Sequence, residues 1–307
     1  MTFNLIKLHK LQYILTALVM LMGIQHIKAQ LPSNDTAWHY HSAMSDDFTG
    51  TSINTAFWDT TWNRWTGWHS INATSGADWD FGKNDSVGGG YLYIKADTLN
   101  PNKVVPWQYW LDVGQGDSGQ SLTYAYQSGV VQTKTTDTLY GYGYIEIRAK
   151  FPSRKWSFWP AFWLYSSNSS PAYYNEVDIT ENYATLSYSG YQVGTNFWVG
   201  NTNQAYSLTL RDEQIYNVIA KTDSLSGAFH TYGYEWNPDR ATYYFDGTAI
   251  RTVYAPAKDS IPQYAMGVIL NFTIDPNYAF LPTNWNGPAI PSVLLRNKTP
   301  TKCPSIL

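Results

Sequence analysis

From Ala37 onward the chain shows no long amphipathic helical period. Short β-branched and aromatic runs alternate instead with clusters of Gly, Asn, Asp, Ser and Pro. The runs cover residues 91–96, 129–133, 142–151, 158–165, 176–180, 230–236, 242–245 and 265–274. Short strands spaced by turn signals are the pattern of an all-β sandwich or barrel. In the run 144–151, Ile145, Ile147, Ala149 and Phe151 alternate with Tyr144, Glu146, Arg148 and Lys150, which predicts a strand with one buried and one polar face. Asp246-Gly247 separates two such runs, and this pair tolerates the positive φ of a tight primed hairpin turn. No internal repeat or linker stands out, so one domain is the simpler organisation.

The amino terminus has a different character. Lys7, His9 and Lys10 precede an apolar run from Leu11 to Ile24, with Ala29 at a plausible cleavage edge. That is the layout of a secretory signal peptide over residues 1–29, and the run is short for a membrane span of about 20 residues. Its removal takes away Lys7, Lys10 and Lys28 and no acid, leaving 17 basic against 23 acidic residues, a net charge of −6. Such a chain is poorly suited to nucleic acid or other polyanions, and no membrane span is expected in the mature form. Cys303 is the one cysteine, so no intrachain disulfide and no cysteine zinc cluster can form. The roughly 278 residues left are enough for one large core without bridges.

Aromatics make up 17% of the chain and charged residues 14%. Fourteen Trp and 25 Tyr exceed what a core needs, since each carries a polar group that requires a partner. On a secreted protein that surplus suggests a surface for stacking against sugar rings. Other motifs are weaker. Gly114, Gly116 and Gly119 match dinucleotide-binding glycine spacing, but no helix pattern follows and no βαβ unit is available. His39 and His41 alternate without a third ligand at a useful spacing, so no metal site is expected.

The sharpest feature is Glu176-Val-Asp178-Ile-Thr-Glu181, three acids within six residues among β-formers. In a regular strand Glu176 and Asp178 share a face and Glu181 points to the other. One extra residue, a β-bulge, reverses the parity and returns Glu181 to the face of the other two. Crowded anions raise at least one carboxyl pKa, because a neighbouring charge disfavours ionisation. Glycosidic hydrolysis needs that division between an ionised and a protonated carboxyl. About four pleat steps, roughly 13 Å between Cα atoms, separate the two glutamates, so their side chains must lean together to approach the ~5–5.5 Å of a retaining pair. Nearby, Phe158-Trp159-Pro-Ala161-Phe162-Trp163-Leu164 places Trp159, Ala161 and Trp163 on one face of an extended run, with Phe162 and Leu164 on the other. One face can fill a core while two indoles line a cleft, where aromatic faces bind the apolar faces of pyranose rings.

These residues together resemble glycoside hydrolase family 16, the laminarinase-like enzymes. Asp46-Asp47-Phe48-Thr49-Gly50 with Phe57-Trp58 is similar to the family's opening. Tyr142–Lys150 resembles the strand before the Trp-Pro-Ala-Phe-Trp segment, and Phe229–Tyr232, Glu235-Trp236 and Tyr244–Gly247 resemble its late hairpin. The signature is the acidic strand in its bulged form. The resemblance implies a β-jelly-roll sandwich of two antiparallel sheets with a concave cleft, spanning residues 35–296, followed by a short tail at 297–307. It implies a secreted, endo-acting, retaining hydrolase with Glu176 as nucleophile, Asp178 as its assistant and Glu181 as general acid/base. Trp159, Trp163, Asn182 and Trp285 are the expected substrate contacts. The expected partner is a β-linked polysaccharide, first β-1,3-glucan. The alternatives are a galactan of the agarose, porphyran or carrageenan type, and a non-catalytic carbohydrate binder on the same sandwich. A monomer is expected and no cofactor; a structural calcium is not predicted. Asn182 stands where laminarinases often carry His, and the segment after Ser292 departs from the family's usual last strand, as if that strand were replaced.

Overall fold

The computed structural model describes residues 39–40, 42, 45–59, 77–79, 84–105, 122–134, 142–152, 158–166, 175–182, 192–200, 208–211, 214–221, 223–254, 261–262, 266–274, 293–295 and 302–303. The leader at 1–29, the glycines at 114–119, His41 and Trp285 lie outside the described residues. No α-helix occurs among the described residues. The strands in chain order are β1 (His39–Tyr40), β2 (Trp58–Asp59), β3 (Ala77–Trp79), β4 (Asp85–Gly88), β5 (Tyr91–Ile94), β6 (Ala96–Val105) and β7 (Leu122–Ser128). There follow β8 (Val130–Thr133), β9 (Gly143–Lys150), β10 (Phe158–Ser166), β11 (Asn175–Glu181), β12 (Gln192–Gly200), β13 (Leu208–Arg211) and β14 (Gln214–Asn217). The last six are β15 (His230–Trp236), β16 (Arg240–Phe245), β17 (Thr248–Tyr254), β18 (Gly267–Ile274), β19 (Val293–Leu295) and β20 (Lys302–Cys303).

Two large sheets form the sandwich. The first runs β17-β16-β15-β9-β19-β5-β4, and the second runs β13-β12-β11-β10-β18-β8-β2. A third, small sheet (β3-β7-β6) includes one parallel pair, β3 with β7, an addition to the expected two antiparallel sheets. The core lies between the two large sheets and draws alternate residues from each. Ile145, Ile147, Ala149, Tyr232 and Tyr234 come from the first, and Phe162, Leu164, Val177, Val268 and Leu270 from the second. Each fully buried aliphatic or phenyl side chain contributes about 1.5–3 kcal/mol, so the period-2 pattern fixes the register. Ile145, Ile147, Ala149 and Phe151 all belong to the core as the alternation in 144–151 predicts, but Tyr144 and Glu146 on the other face are buried too, where the Tyr144 hydroxyl donates to Glu146.

The Asp246-Gly247 turn has φ of 47° and 76°, the left-handed pair of a primed hairpin, and it joins Phe245 to Thr248 as a register pair. An aspartate and a glycine suit it because most side chains clash with the carbonyl at positive φ. In the described carboxy-terminal residues, β19 lies between β5 and β9 in the middle of the first sheet, and Lys302 of β20 pairs with Tyr144 of β9. The segment that departs from the family's last strand therefore still supplies short strands beside β9.

Candidate active site

The site is built on β10 and β11 at the centre of the second sheet. On β10, Phe158, Phe162 and Leu164 join the core, whereas Trp159, Ala161, Trp163 and Tyr165 turn to the opposite face. On β11, Val177 and Ile179 pack inward. Thr180 pairs with Phe162, so two consecutive residues, Ile179 and Thr180, turn toward the core. This is the bulge expected from the spacing. Asp178 pairs with Trp163 and Glu181 with Ala161, three residues of β11 against two of β10. Strand β12 records the same slip, with Asp178 opposite Asn196 and Glu181 opposite Gly194. Because Glu176 pairs with Tyr165, the acids fall opposite Tyr165, Trp163 and Ala161, successive residues of one face.

Their surroundings differ. Glu176 is half-buried beside Tyr165, whose phenol is pushed upward first by burial and then by the Glu176 charge. Asp178 is 2% exposed. Its carboxyl is held well above the ordinary carboxyl range, mainly by burial, then by the charges of Glu181 and Glu176. A hydrogen bond to Glu181 acts in the same direction, and one from Asn196 opposes it. The Oδ2 atom of Asp178 has no hydrogen-bond partner among the described residues. Glu181 is 7% exposed and accepts the Trp159 indole N–H at 3.1 Å on Oε1. One acid is thus biased toward the neutral form between two glutamates, the electrostatic division that a proton-sharing carboxylate group requires.

The expected aromatic contacts separate. Trp159 is half-buried and touches Glu181 directly. Trp163 is 6% exposed, and its indole N–H donates to Asn271 Oδ1 at 2.8 Å, so it serves chiefly as a packed wall. Asn182 follows Glu181 but is 3% exposed. Its backbone N–H donates to the Pro160 carbonyl, its side-chain amide donates to Thr180 Oγ1, and it lines a pocket with Phe151, Phe158, Pro160 and Leu225, apart from the row of acids. Three residues around the site escaped sequence reasoning. Tyr165 continues the alternation of Trp159, Ala161 and Trp163 and was within reach of that argument. Asn196 and Asn271 arrive from β12 and β18, and only the register brings them there. No group of three or more His, Cys, Asp or Glu among the described residues is arranged to hold a metal ion.

The profile of Glycosyl hydrolases family 16 matches residues 102–277. The chain belongs to this family. An endo-1,3-1,4-beta-glycanase, ExsH, of Rhizobium meliloti (strain 1021) is 31% identical over 143 residues, which are 47% of this chain and 27% of that protein. The chain thus spans about a quarter of that curated relative's length. Among solved structures, an endo-acting O-glycanase from the human gut microbiota, described as initiating mucin breakdown, superposes with a TM-score of 0.64 at 19% identity, covering 89% of this chain and 94% of that one. The catalytic domain of an endo-1,3-beta-glucanase (laminarinase) from Thermotoga petrophila RKU-1 gives a TM-score of 0.60 at 21% identity, covering 84% and 95%. Both share the sandwich with this family 16 chain.

Proposed function

We propose that this chain is a secreted, endo-acting, retaining glycoside hydrolase that cleaves a β-linked polysaccharide, with β-1,3-glucan as its substrate. The observation that carries the reading is the bulge in β11, which sets Glu176, Asp178 and Glu181 on one face. A merely structural strand gains nothing from three acids in that arrangement, because each neighbouring charge makes the next ionisation less favourable.

In this reading Glu176 attacks the anomeric carbon and forms a glycosyl ester while Glu181 gives its proton to the departing glycosidic oxygen. Water then displaces Glu176, and Glu181 takes back a proton from that water. Asp178 holds a proton between the two and orients both carboxyls. Trp159 holds one Glu181 oxygen and so orients that carboxyl, and its half-buried indole offers a face to a sugar ring. Trp285 completes the proposed substrate contacts; Asn182, 3% exposed in a pocket that none of the three acids lines, supports the strand end next to Glu181 instead. The glucan assignment is supported by the similarity to the Rhizobium endo-1,3-1,4-beta-glycanase.

The test is release of reducing ends by purified protein from laminarin, mixed-linkage glucan, agarose, porphyran and carrageenan. Cleavage of laminarin with a rapid fall in polymer length is expected. Cleavage of a galactan alone overturns the glucan assignment, and binding to laminarin without cleavage overturns the enzymatic one.

A further inference from the structure

Among the described residues, a polar crossing of the core is not used by the proposed chemistry. Arg251 of β17 is 6% exposed and faces inward. Its Nη1 donates to the Thr195 carbonyl at 3.2 Å and to Thr195 Oγ1 at 2.9 Å. Tyr243 of β16, 1% exposed, donates its hydroxyl to the Asn196 carbonyl at 3.0 Å. The guanidinium also lies over the Tyr243 ring, 5.1 Å from its centroid. Two successive carbonyls of the second sheet are therefore held by side chains of the first.

In a regular strand, carbonyls lie in the plane of the sheet and are taken by neighbouring strands. Thr195 and Asn196 stand where that pattern fails. On one side β12 faces the bulge, with Asp178 opposite Asn196 and Glu181 opposite Gly194. On the other, pairing with β14 ends at Thr195 and pairing with β13 begins at Trp198. A second irregularity lies directly across the core. Tyr243 pairs with Arg251 and Tyr244 with Ala249, so β17 carries an extra residue at the point from which the guanidinium reaches over. A bulge re-aims the side chains next to it, and here it turns a cation inward toward the other sheet. A buried guanidinium without hydrogen-bonded oxygens is costly, which makes this contact selective for one backbone arrangement.

We propose that Arg251 and Tyr243 are positioning residues for the acid strand: they fix the carbonyls of Thr195 and Asn196 and thereby hold the Asn196 amide against Asp178. The inference rests on the hydrolytic reading for its effect on rate, though not for its effect on Asp178. The groups facing Asp178 are Glu176 and Glu181 on its own strand, Trp163 and Tyr165 on β10, and Asn196 on β12; the two glutamates are the charged ones among them.

The test compares wild type with Tyr243→Phe and Arg251→Lys. Tyr243→Phe keeps the ring and loses one donor. Arg251→Lys keeps the charge and loses the planar fork. The readouts are kcat and KM on the polysaccharide that wild type cleaves, and a carboxyl-carbon NMR titration of Asp178, which needs no activity. Tyr243→Phe is expected to lower kcat about 10–100-fold with KM within twofold, as a small misplacement of reacting groups does. Its Asp178 titration moves upward, because the Asn196 bond that opposes the rise is loosened. Arg251→Lys is expected to shift both in the same direction without rescue. A folded Tyr243→Phe with wild-type kcat and an unmoved Asp178 titration overturns the proposal, even if its melting temperature falls. If wild type cleaves none of the polysaccharides, the hydrolytic reading fails, and the Asp178 titration alone still decides this one.

Discussion

Buried acids occur in both sheets, and they are treated differently. In the first sheet, Glu146 is 2% exposed and accepts the Tyr144 hydroxyl. Glu235 is 6% exposed and takes the Tyr244 hydroxyl at 2.9 Å on one oxygen and Arg240 Nη2 at 3.0 Å on the other. Each meets a tyrosine hydroxyl, and Glu235 a guanidinium as well. In the second sheet the acids of β11 have one another. Asp178 is flanked by two glutamates, whose charges hold its carboxyl upward, and the Trp159 indole donates to Glu181. Burial of a carboxylate is tolerable when cations or hydroxyls meet it and unfavourable when other acids do. The first arrangement serves the fold, and the second carries an electrostatic cost that the proposed hydrolysis accounts for.

That contrast breaks most visibly under substitution. Glu176→Gln and Glu181→Gln are expected to remain folded, with unchanged far-UV circular dichroism, and to lose polysaccharide cleavage by about 10²–10⁴-fold or more, the range that a positioned acid, base or nucleophile supplies. Trp159→Phe keeps most of the aromatic surface and removes the donor to Glu181. A hydrogen bond to a charged group is worth about 1.5–3 kcal/mol, so a loss of at least about tenfold in kcat/KM is expected in steady-state assays. Glu235→Ala should do the reverse. It leaves Tyr244 and the half-exposed Arg240 without their acceptor and lowers unfolding free energy by about 1–2 kcal/mol in denaturant titration, while kcat stays within twofold.

The smallest effect is a pH dependence. The folded-state pKa of Asp178 is raised, so its contribution to stability is fully present below the ordinary carboxyl range and is lost as pH rises through the raised folded value. Asp178→Asn removes that loss. Its melting temperature should match wild type in acid and exceed it increasingly toward neutral and alkaline pH, by about 2–4 °C for each kcal/mol regained. A constant difference at all pH values would contradict the assignment of Asp178 as the acid held neutral.

Much of the site could be read from the chain. The spacing of Glu176, Asp178 and Glu181 forecasts the bulge, because only a parity change brings all three to one face. The alternation along Phe158–Tyr165 separates core from site, and Asp246-Gly247 marks its hairpin because few residue pairs tolerate two positive φ values. What could not be read depends on register between distant strands. Nothing near Asn196 or Asn271 in sequence says that they flank Asp178 and Trp163. Sequence alternation gives the face of Trp163 but not the partner that takes up its indole N–H. Arg251 reads as a polar residue in a hairpin strand, and its burial follows from a slip in pairing that leaves no local signal. Short-range period is written in the chain, whereas pairing offsets emerge from the packing of whole sheets.

Everything proposed for the site depends on Glu176 and Glu181 acting as a retaining pair bridged by Asp178. Proton NMR of the first products released from laminarin, recorded before mutarotation, tests it most directly. Retention predicts that newly formed reducing ends appear first in the β configuration and drift later toward the equilibrium mixture. Ends that appear first as α would mean direct displacement by water and would contradict the proposed roles of both glutamates.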